Sequence, residues 1–341
     1  MQHVLVTGAA GYIGSVLVPT LLKKDYKVTA VDRFFFGNDR LPEHEALTCI
    51  QEDTRKLKPS IFENVDYVID LVAISNDPSG ELFESATWQI NFEGRVRTAE
   101  LAKAAGVKRY ILPSSCSIYG FQEGVADEQS PTNPLTVYAK ANEKAEKGVL
   151  ALSDNEFVVS VIRQATIFGY SPRMRLDLAI NGMTYGAFVN KKLPLMRDGS
   201  QYRPMLHVQD TSDVMSLLLT ADSDKINGQV FNVGSQSYQL GELGKTITET
   251  VSKKINEDIP IEWYGDPDKR SYRVSFDKVH DALNWKPNYT VEDGCLEIIN
   301  KLQSGELQKR TDNITLDWYQ ELVKWQKIIK SVEMYDGILD I

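Results

Sequence analysis

A glycine-rich turn near the start of the chain constrains its fold more than any other feature. A short apolar run leads directly into Gly8, Gly11 and Gly14, spaced as G-x-x-G-x-x-G, and a helical pattern follows over 15–24. A second apolar run then ends on Asp32. A strand, a tight turn, a helix and a second strand in this order form the first unit of a doubly wound parallel sheet.

Each part of this unit has a physical role in holding a dinucleotide. Gly8 permits the tight turn, Gly11 lets the backbone approach a pyrophosphate, and Gly14 lets the helix pack closely on the strand. The helix N-terminus, at Tyr12 and Ile13, offers free N–H groups to the anion. The turn therefore predicts a dinucleotide site.

Asp32 predicts which dinucleotide binds. Its carboxylate can accept hydrogen bonds from both ribose hydroxyls and would repel a 2′-phosphate, so NAD is expected rather than NADP. Arg33 follows directly and lies beside the same site. We interpret it as a solvated side chain at the start of the next loop rather than as a phosphate contact.

Composition narrows the function classes. The 341 residues carry a formal net charge of −9, which argues against nucleic acid or an anionic membrane as a partner. The three cysteines lack C-x-x-C spacing and the four histidines are scattered, so no metal site is expected. No apolar run approaches the ~20 residues of a membrane span, and a strand pattern at the very start leaves no room for a signal peptide. We expect a cytoplasmic protein.

Short apolar strand patterns alternate with helical patterns for about 160 residues, as in a doubly wound α/β sheet. After the first unit, strands are predicted at 46–50, 67–72, 109–113 and 157–162, and helices at 82–105 and 135–152.

The chain divides into three predicted parts. Residues 1–169 form the cofactor-binding domain, to which 206–233 returns with a further strand. A smaller α/β lobe comprises 170–205 and 234–310. The tail 311–341 has apolar residues at helical spacing, which predicts a packed helix or a dimer contact.

Two further motifs, residues 112–120 (LPSSCSIYG) and 134–142 (PLTVYAKAN), join the glycine turn in order and spacing. Together they resemble the extended short-chain dehydrogenase/reductase family, in its nucleotide-sugar epimerase/dehydratase branch. The resemblance covers nearly the whole chain and implies a Rossmann domain with a smaller C-terminal substrate-binding lobe. It also implies further cofactor contacts from Asp53, Thr54, Leu71, Val72, Ala73 and Asn91.

The resemblance assigns catalysis to Ser115 and Tyr138. In that family the Tyr phenolate removes a proton from a sugar hydroxyl while hydride leaves the same carbon, and the Ser hydrogen-bonds the oxygen. A Tyr with a pKa near 10 is a poor base at neutral pH, so its anion needs stabilisation. The family's Lys, four residues after the Tyr, provides it and also binds the nicotinamide ribose.

Position 142 breaks this pattern because it is Asn142 rather than Lys. Lys140 and Lys144 stand off the Tyr138 face of the helix. Asn142 can still donate a hydrogen bond to a ribose hydroxyl, and we count it with the catalytic and cofactor residues. Three interpretations remain open: slower or differently supported redox chemistry, a sensor or partner-binding protein with reduced catalysis, or a substitution introduced into the chain. Restoring Lys at this position is expected to raise the rate at neutral pH.

Substrate contacts are also implied by the resemblance. The family's 4,6-dehydratases carry Asp-Glu after the catalytic residue, where this chain has Cys116 and Ser117, so a dehydratase is disfavoured. Arginines suit a diphosphate because the planar guanidinium forms two bonds to it, and Arg270 is preferred over Arg273 for the second of them. The predicted substrate residues are Ser75, Asn76, Ser117, Asn181, Arg203 and Arg270.

The sequence therefore predicts NAD-dependent oxidation and reduction at a ring carbon of a nucleotide-diphosphate sugar, most simply C4 epimerisation. A net nucleotide-sugar dehydrogenase or ketosugar reductase is the alternative enzyme. We also expect a homodimer.

Overall fold

Strands and helices alternate along the computed structural model, which describes residues 1–266 and 271–333. The strands are β1 His3–Thr7, β2 Lys27–Asp32, β3 Leu47–Gln51, β4 Tyr67–Asp70, β5 Arg109–Ser115, β6 Val125–Ala126, β7 Val158–Gln164, β8 Thr166–Phe168, β9 Leu193–Met196, β10 Tyr202–His207, β11 Gln229–Val233, β12 Gln236–Gln239, β13 Ile261–Tyr264 and β14 Arg273–Val274. The α-helices are α1 Gly14–Leu22, α2 Asp77–Leu82, α3 Glu84–Trp88, α4 Arg95–Ala104, α5 Val137–Leu150, α6 Ala179–Asn190, α7 Val208–Leu218, α8 Ser223–Ile226, α9 Leu240–Ile255, α10 Asp277–Leu283, α11 Val291–Gln303 and α12 Thr315–Val332.

Seven strands form the central sheet, in the order β11-β7-β5-β4-β1-β2-β3. Every neighbouring pair is parallel. The chain runs outward from β1 through β2 to β3 and then returns to place β4 on the other side of β1. This reversal between β1 and β4 is the position at which doubly wound sheets bind their ligands. The predicted doubly wound α/β fold is confirmed.

The two faces of the sheet are covered by different helices because neighbouring strand residues point to opposite sides. Val4 and Val6 of β1 join one apolar cluster with side chains of α1 and α7. Leu5, between them, joins a second cluster with side chains of α4 and α5. All three β1 residues are fully buried, so the first strand is at the centre of the core.

The further strand predicted within 206–233 is β11, and it extends the central sheet beyond β7, with Phe231 paired to Ile162. Between β7 and β11 the chain passes through β8–β10 and the helices α6 and α7. Helices α6, α9 and α11 pack together around a separate apolar cluster that includes Ile180, Leu243 and Ile299. The division into lobes stays a prediction, with this cluster as the core of the second lobe.

The helix predicted over 82–105 is interrupted. α3 is followed by a π-helix at Gln89–Gly94, and only then does α4 begin. A π-turn inserts one extra residue into the helical register and frequently occurs at functional sites. Within the described ranges, no helix is both long and apolar enough to cross a membrane.

Candidate active site

A cleft of about 810 Å³ opens at the carboxyl ends of β1, β4 and β5, between the sheet and residues of the segment 173–178, Arg203 and Tyr272. Its volume lies in the range of ligand sites. Most of the residues predicted as site residues line it: Gly8, Gly11, Tyr12, Ile13, Gly14, Asp32, Arg33, Asp53, Thr54, Leu71, Val72, Ala73, Ser75, Asn76, Ser115, Ser117, Tyr138 and Arg203.

The glycine turn forms the floor of the cleft. Gly8 has a φ of +62°, and a Cβ there would lie 2.8 Å from the backbone nitrogen of Val72, so only glycine fits between β1 and β4. No hydrogen bond of the described residues uses the backbone N–H groups of Tyr12 and Ile13. Two donors at a helix N-terminus thus remain available to an anionic ligand.

Asp32 ends β2 at the edge of the cleft. One carboxylate oxygen accepts from the backbone N–H of Ala10 at 3.0 Å, and the other from that of Phe34 at 2.7 Å. Burial raises the pKa of Asp32, and these backbone hydrogen bonds oppose the rise. The carboxylate is therefore held rigidly, and its remaining lone pairs are open to ribose hydroxyls.

Asp53 is held by two arginines. Arg55 hydrogen-bonds both of its oxygens, and the Arg33 guanidinium lies 2.9 Å from one of them. Hydrogen bonding to Arg55 lowers the pKa of Asp53 to about 2, although partial burial opposes it. Arg33 is thus paired with a carboxylate at the mouth of the cleft, and about half of its side chain is solvated.

Ser115 and Tyr138 both line the cleft. Ser115 is the last residue of β5, and its Oγ accepts from the backbone N–H of Ser117 at 3.1 Å. Tyr138 lies in the first turn of α5, whose N-cap Thr136 accepts from the Ala139 N–H. A strand end and a capped helix start place both side chains on fixed backbone.

Burial raises the pKa of the Tyr138 phenol above its ordinary value. The positive charge of Arg95 opposes this most strongly, with smaller contributions from the side chains of Ser115 and Asn142. The Asp77 carboxylate raises the pKa further. Tyr138 therefore depends on its neighbours to reach the phenolate at neutral pH.

Asn142 does not line the cleft. It is 1% exposed, and its Oδ1 accepts a hydrogen bond of 2.9 Å from Nη1 of Arg95. Arg95 is itself buried. The amide oxygen is thus bound to an arginine from another helix, while the Nδ2 donor has no hydrogen-bond partner among the described residues. The ribose contact predicted for Asn142 stays a prediction.

Two other predicted ligand contacts have structural roles. Asn91 is fully buried and hydrogen-bonds both the N–H and the C=O of Ile74, which fixes the loop after β4. Asn181 is fully buried as well; it accepts from the Gly169 N–H and donates to the Tyr12 hydroxyl. Neither side chain lines the cleft, so we propose that both residues position the site, and their predicted ligand contacts stay predictions.

The far end of the cleft carries the predicted substrate residues. The Ser117 Oγ and the Gln164 Oε1 are buried and have no hydrogen-bond partner in the described structure. Arg203 lies there with its guanidinium over the Tyr272 ring, 5.7 Å from the centroid. Arg270 lies outside the described residues. Arg273, the alternative, is exposed and does not line the cleft.

Ser75 and Asn76 line the cleft but already hold partners. Arg175 donates to the Ser75 Oγ at 3.2 Å, and the Asn76 amide donates to Asp177 at 3.0 Å. Asn76 also caps α2 by accepting from the Ser79 N–H. These two residues thus connect the loop after β4 to the second lobe.

Sequence reasoning missed the second lobe's contribution to the cofactor end. Arg173 is 4% exposed, its guanidinium lies 3.7 Å from the Phe36 ring centroid, and its Nε and Nη1 have no hydrogen-bond partner among the described residues. Burial lowers the pKa of Arg173 to about 10. The basic run that contains it was visible in the sequence, but nothing there indicated that residue 173 meets residue 36.

The fold and the cleft define a class: enzymes that bind a dinucleotide at the switch point of a doubly wound sheet, with a Ser–Tyr pair beside it. The chain belongs to the NAD-dependent epimerase/dehydratase family, whose model matches residues 4–234.

Named relatives fall in the same group. The UDP-glucuronic acid decarboxylase 1 of Danio rerio is 27% identical over 324 residues, which span 92% of this chain and 75% of the relative. The UDP-arabinose 4-epimerase 1 of Arabidopsis thaliana is 28% identical over 334 residues, spanning 85% of this chain and 76% of the relative. Among solved structures, MoeE5 in complex with UDP-glucuronic acid and NAD superposes with a TM-score of 0.78 at 25% identity, covering 89% of this chain and 99% of the other.

NAD, the cofactor of this family, fits the residues present. The free N–H groups of Tyr12 and Ile13 and the unpartnered guanidinium nitrogens of Arg173 are donors suited to a pyrophosphate. Asp32 is placed to accept from ribose hydroxyls. When bound, NAD accepts a hydride and can return it.

Proposed function

We propose that the protein oxidises and re-reduces C4 of a nucleotide-diphosphate sugar and so epimerises it. One observation carries this proposal. Ser115 and Tyr138 line the same cleft as the dinucleotide turn, and the cleft is also lined by Ser117 and Gln164, each with a buried polar atom that has no hydrogen-bond partner among the described residues. Unpartnered buried polar atoms are costly, and sugar hydroxyls would satisfy them.

Side chains of this protein transfer the proton of the C4 hydroxyl. The Tyr138 phenolate takes the proton of the C4 hydroxyl, and the Ser115 hydroxyl hydrogen-bonds the same oxygen. The ketosugar then rotates so that the hydride returns to the opposite face of C4. Tyr138 gives the proton back to the C4 oxygen as the C4–H bond re-forms. No net oxidation results, so a single bound cofactor supports many turnovers.

The second lobe is proposed to bind the diphosphate. Arg203 lines the substrate end, and the sequence proposes Arg270 as its partner. Ser75 and Asn76 border the same space, through the network they form with Arg175 and Asp177. Because the named relatives act on UDP-sugars, UDP-sugars are the first candidates.

Incubation with single UDP-sugars tests the proposal. UDP-arabinose, UDP-glucose and UDP-glucuronic acid are each given to the protein with NAD, and products are separated by anion-exchange chromatography. We expect a C4 epimer without accumulation of NADH, and no product from Tyr138→Phe. A steady build-up of NADH would instead establish a net dehydrogenase, and release of CO₂ from UDP-glucuronic acid would establish a decarboxylase.

We also propose that the protein is a homodimer and acts in the cytoplasm. Trp325, Ile328 and Val332 form an exposed apolar face on α12, suited to a second copy of the chain. Cys49 is an exposed free thiol, and Cys116 and Cys295 are free as well, which suits a reducing compartment. Fractionation of the source cells tests the compartment.

A further inference from the structure

We propose that Arg95 supplies the positive charge that the catalytic Tyr138 requires, and that Asn142 holds this guanidinium in place. The inference rests on the proposed function, because it concerns the base of that reaction. It also accounts for Asn142 in place of the family's Lys. In the family the cation lies on the same helix as the tyrosine, whereas in this chain it lies on the neighbouring helix α4.

The contact between the two helices carries the argument. Tyr138 and Asn142 are four residues apart on α5 and therefore share a face. On that face the Asn142 Oδ1 accepts from Nη1 of Arg95 at 2.9 Å. Arg95 is 2% exposed and Asn142 1%, so water screens this guanidinium very little.

Arg95 is fixed from behind by the sheet. Its Nη2 donates to the backbone oxygens of Asp70 at 2.8 Å and Pro113 at 2.6 Å. These residues end β4 and precede the end of β5, the two strands whose carboxyl ends form the cleft. These bonds to both strands, with the bond to Asn142, fix the position of the guanidinium.

Asn142 is suited to this position because it is neutral. Its Oδ1 binds the arginine, and its Nδ2 has no hydrogen-bond partner among the described residues. The amide also lowers the pKa of Tyr138. A lysine at 142 would instead bring a second buried cation against Arg95, and like charges at that distance repel.

Other charges face the same phenol and set its titration together with Arg95. Asp77, at the start of α2, raises the pKa of Tyr138. Arg175 interacts with Tyr138 from the second lobe, where it is paired with Asp177 at 2.8 Å. Tyr272, from the substrate side, interacts with Tyr138 as well.

Behind Arg95 lies the fully buried Asp70, whose Oδ2 is 3.9 Å from the Arg95 Nε. Burial raises the pKa of Asp70, and Arg95 opposes the rise. Part of the arginine's charge is thus balanced by this carboxylate. We therefore expect its effect on Tyr138 at the lower end of the range for close charges, about one to three in pKa.

The experiment titrates Tyr138 directly, without substrate. Ultraviolet absorbance of the phenolate is recorded against pH, and the curve of the matching Tyr138→Phe protein is subtracted. Arg95→Gln is expected to raise the pKa of Tyr138 by about one. In a double variant, Arg95→Gln with Asn142→Lys, the cation returns to α5 and the pKa is expected to fall back to the wild-type value.

Arg97→Gln is the matched control, since it removes the same charge from the same helix. Arg97 donates to the Leu57 backbone oxygen on another side of α4, so its loss should leave the Tyr138 titration unchanged. A folded Arg95→Gln protein that titrates like wild type or like Arg97→Gln would overturn the proposal. If Arg95→Gln does not fold, Arg95→Met replaces it, and a folded Arg95→Met protein whose Tyr138 titrates like wild type also overturns the proposal.

Asn142→Lys alone gives a second readout. Two buried cations side by side should lower its melting temperature, and adding Arg95→Gln should raise it again. We therefore no longer expect Asn142→Lys alone to raise the rate at neutral pH. A single variant as stable as wild type, with Arg95 retained, contradicts the proposed contact.

Failure of this proposal differs from failure of the proposed function. If no UDP-sugar is converted, the phenolate titration still reports on Arg95. If a sugar is converted, the rate of Arg95→Gln at neutral pH should fall about tenfold for each rise of one in the Tyr138 pKa, with the pH profile displaced to higher pH. If a sugar is converted and the pH profile of Arg95→Gln equals that of wild type, the proposed role of Arg95 is contradicted and the proposed function is not.

Discussion

Asp177 shows how one carboxylate joins the two halves of the cleft. Its oxygens accept two hydrogen bonds from Arg175, at 3.0 and 2.8 Å, and a third from the amide of Asn76. Arg175 in turn donates to Ser75. Burial alone would raise the pKa of Asp177, but the charge of Arg175 and these hydrogen bonds lower it to about 2.

This lowered pKa predicts a specific acid sensitivity. A carboxyl with a folded-state pKa below its ordinary value of 3.8 stabilises the protein above that value, and the contribution is lost as pH falls toward about 2. It corresponds to about 2 kcal/mol at neutral pH. Asp177→Asn should therefore be less stable than wild type at pH 7, and the gap should narrow between about pH 4 and pH 2. Urea unfolding at a series of pH values measures it.

The exposed Asp281 provides the control. Asp281→Asn removes one exposed carboxylate and is measured in the same urea series. A gap for Asp177→Asn that stays constant from pH 7 to pH 2 would show that the ion pair contributes no pH-dependent stability.

At this scale the sequence predicted the residues that adjoin a recognisable backbone motif. Gly8, Asp32, Ser115 and Tyr138 line the cleft because a strand end or helix start fixes where they point. The contacts of Asn91 were harder to predict, because the sequence does not distinguish an amide that binds a ligand from one that binds a loop. Arg95 was missed because its partner is 47 residues away.

The C-terminal helix α12 forms one wall of the cofactor end of the cleft. Tyr319 contacts the rings of Phe35, Phe36 and Phe83, with centroids 5.7 to 6.5 Å apart. The Trp318 indole N–H donates to the Phe35 backbone oxygen at 2.6 Å. The helix thus orders the loop that follows Asp32, although the two segments are far apart in the chain.

We predict that Tyr319→Ala weakens NAD binding about two- to tenfold, because an aromatic pair contributes about 0.5–1.5 kcal/mol and loss of the ring loosens this loop. Isothermal titration calorimetry measures the affinity. Tyr319→Phe, which keeps the ring, should bind like wild type, and so should Gln320→Ala, on the exposed side of the helix. Equal affinity for Tyr319→Ala and wild type would show that α12 merely covers the loop.

Element boundaries were predictable where apolar periodicity is simple. The strands and α5 lie close to their predicted positions, whereas the single helix predicted over 82–105 is α3, a π-helix and α4. Nothing in the local pattern marks the π-turn. Asn91 lies within it and binds the loop after β4 through Ile74, a tertiary contact that local periodicity does not encode.

For the whole molecule, the exposed face of α12 predicts the association state. Trp325, Ile328 and Val332 expose 51%, 42% and 51% of their surface and lie on one side of the helix. We expect a dimer in sedimentation velocity at micromolar concentration, and a monomer for Trp325→Glu, because a buried unpaired charge is costly at an interface.

Val189→Glu is the matched control, since Val189 is also apolar and exposed but lies on α6. This variant should remain a dimer. A wild-type monomer, or a dimer that tolerates Trp325→Glu, would remove α12 as the interface.

The return of β11 to the edge of the central sheet limits how the gene can be divided. A fragment ending at residue 169 encodes six of the seven strands and leaves one edge of β7 without its partner. In the intact chain β7 is buried along its whole length, and an uncovered apolar edge recruits other strands. We therefore expect this fragment to aggregate on expression rather than serve as a smaller NAD-binding protein. Producing this half by itself requires splicing codons 206–233 behind codon 169, with a linker in place of the excised lobe.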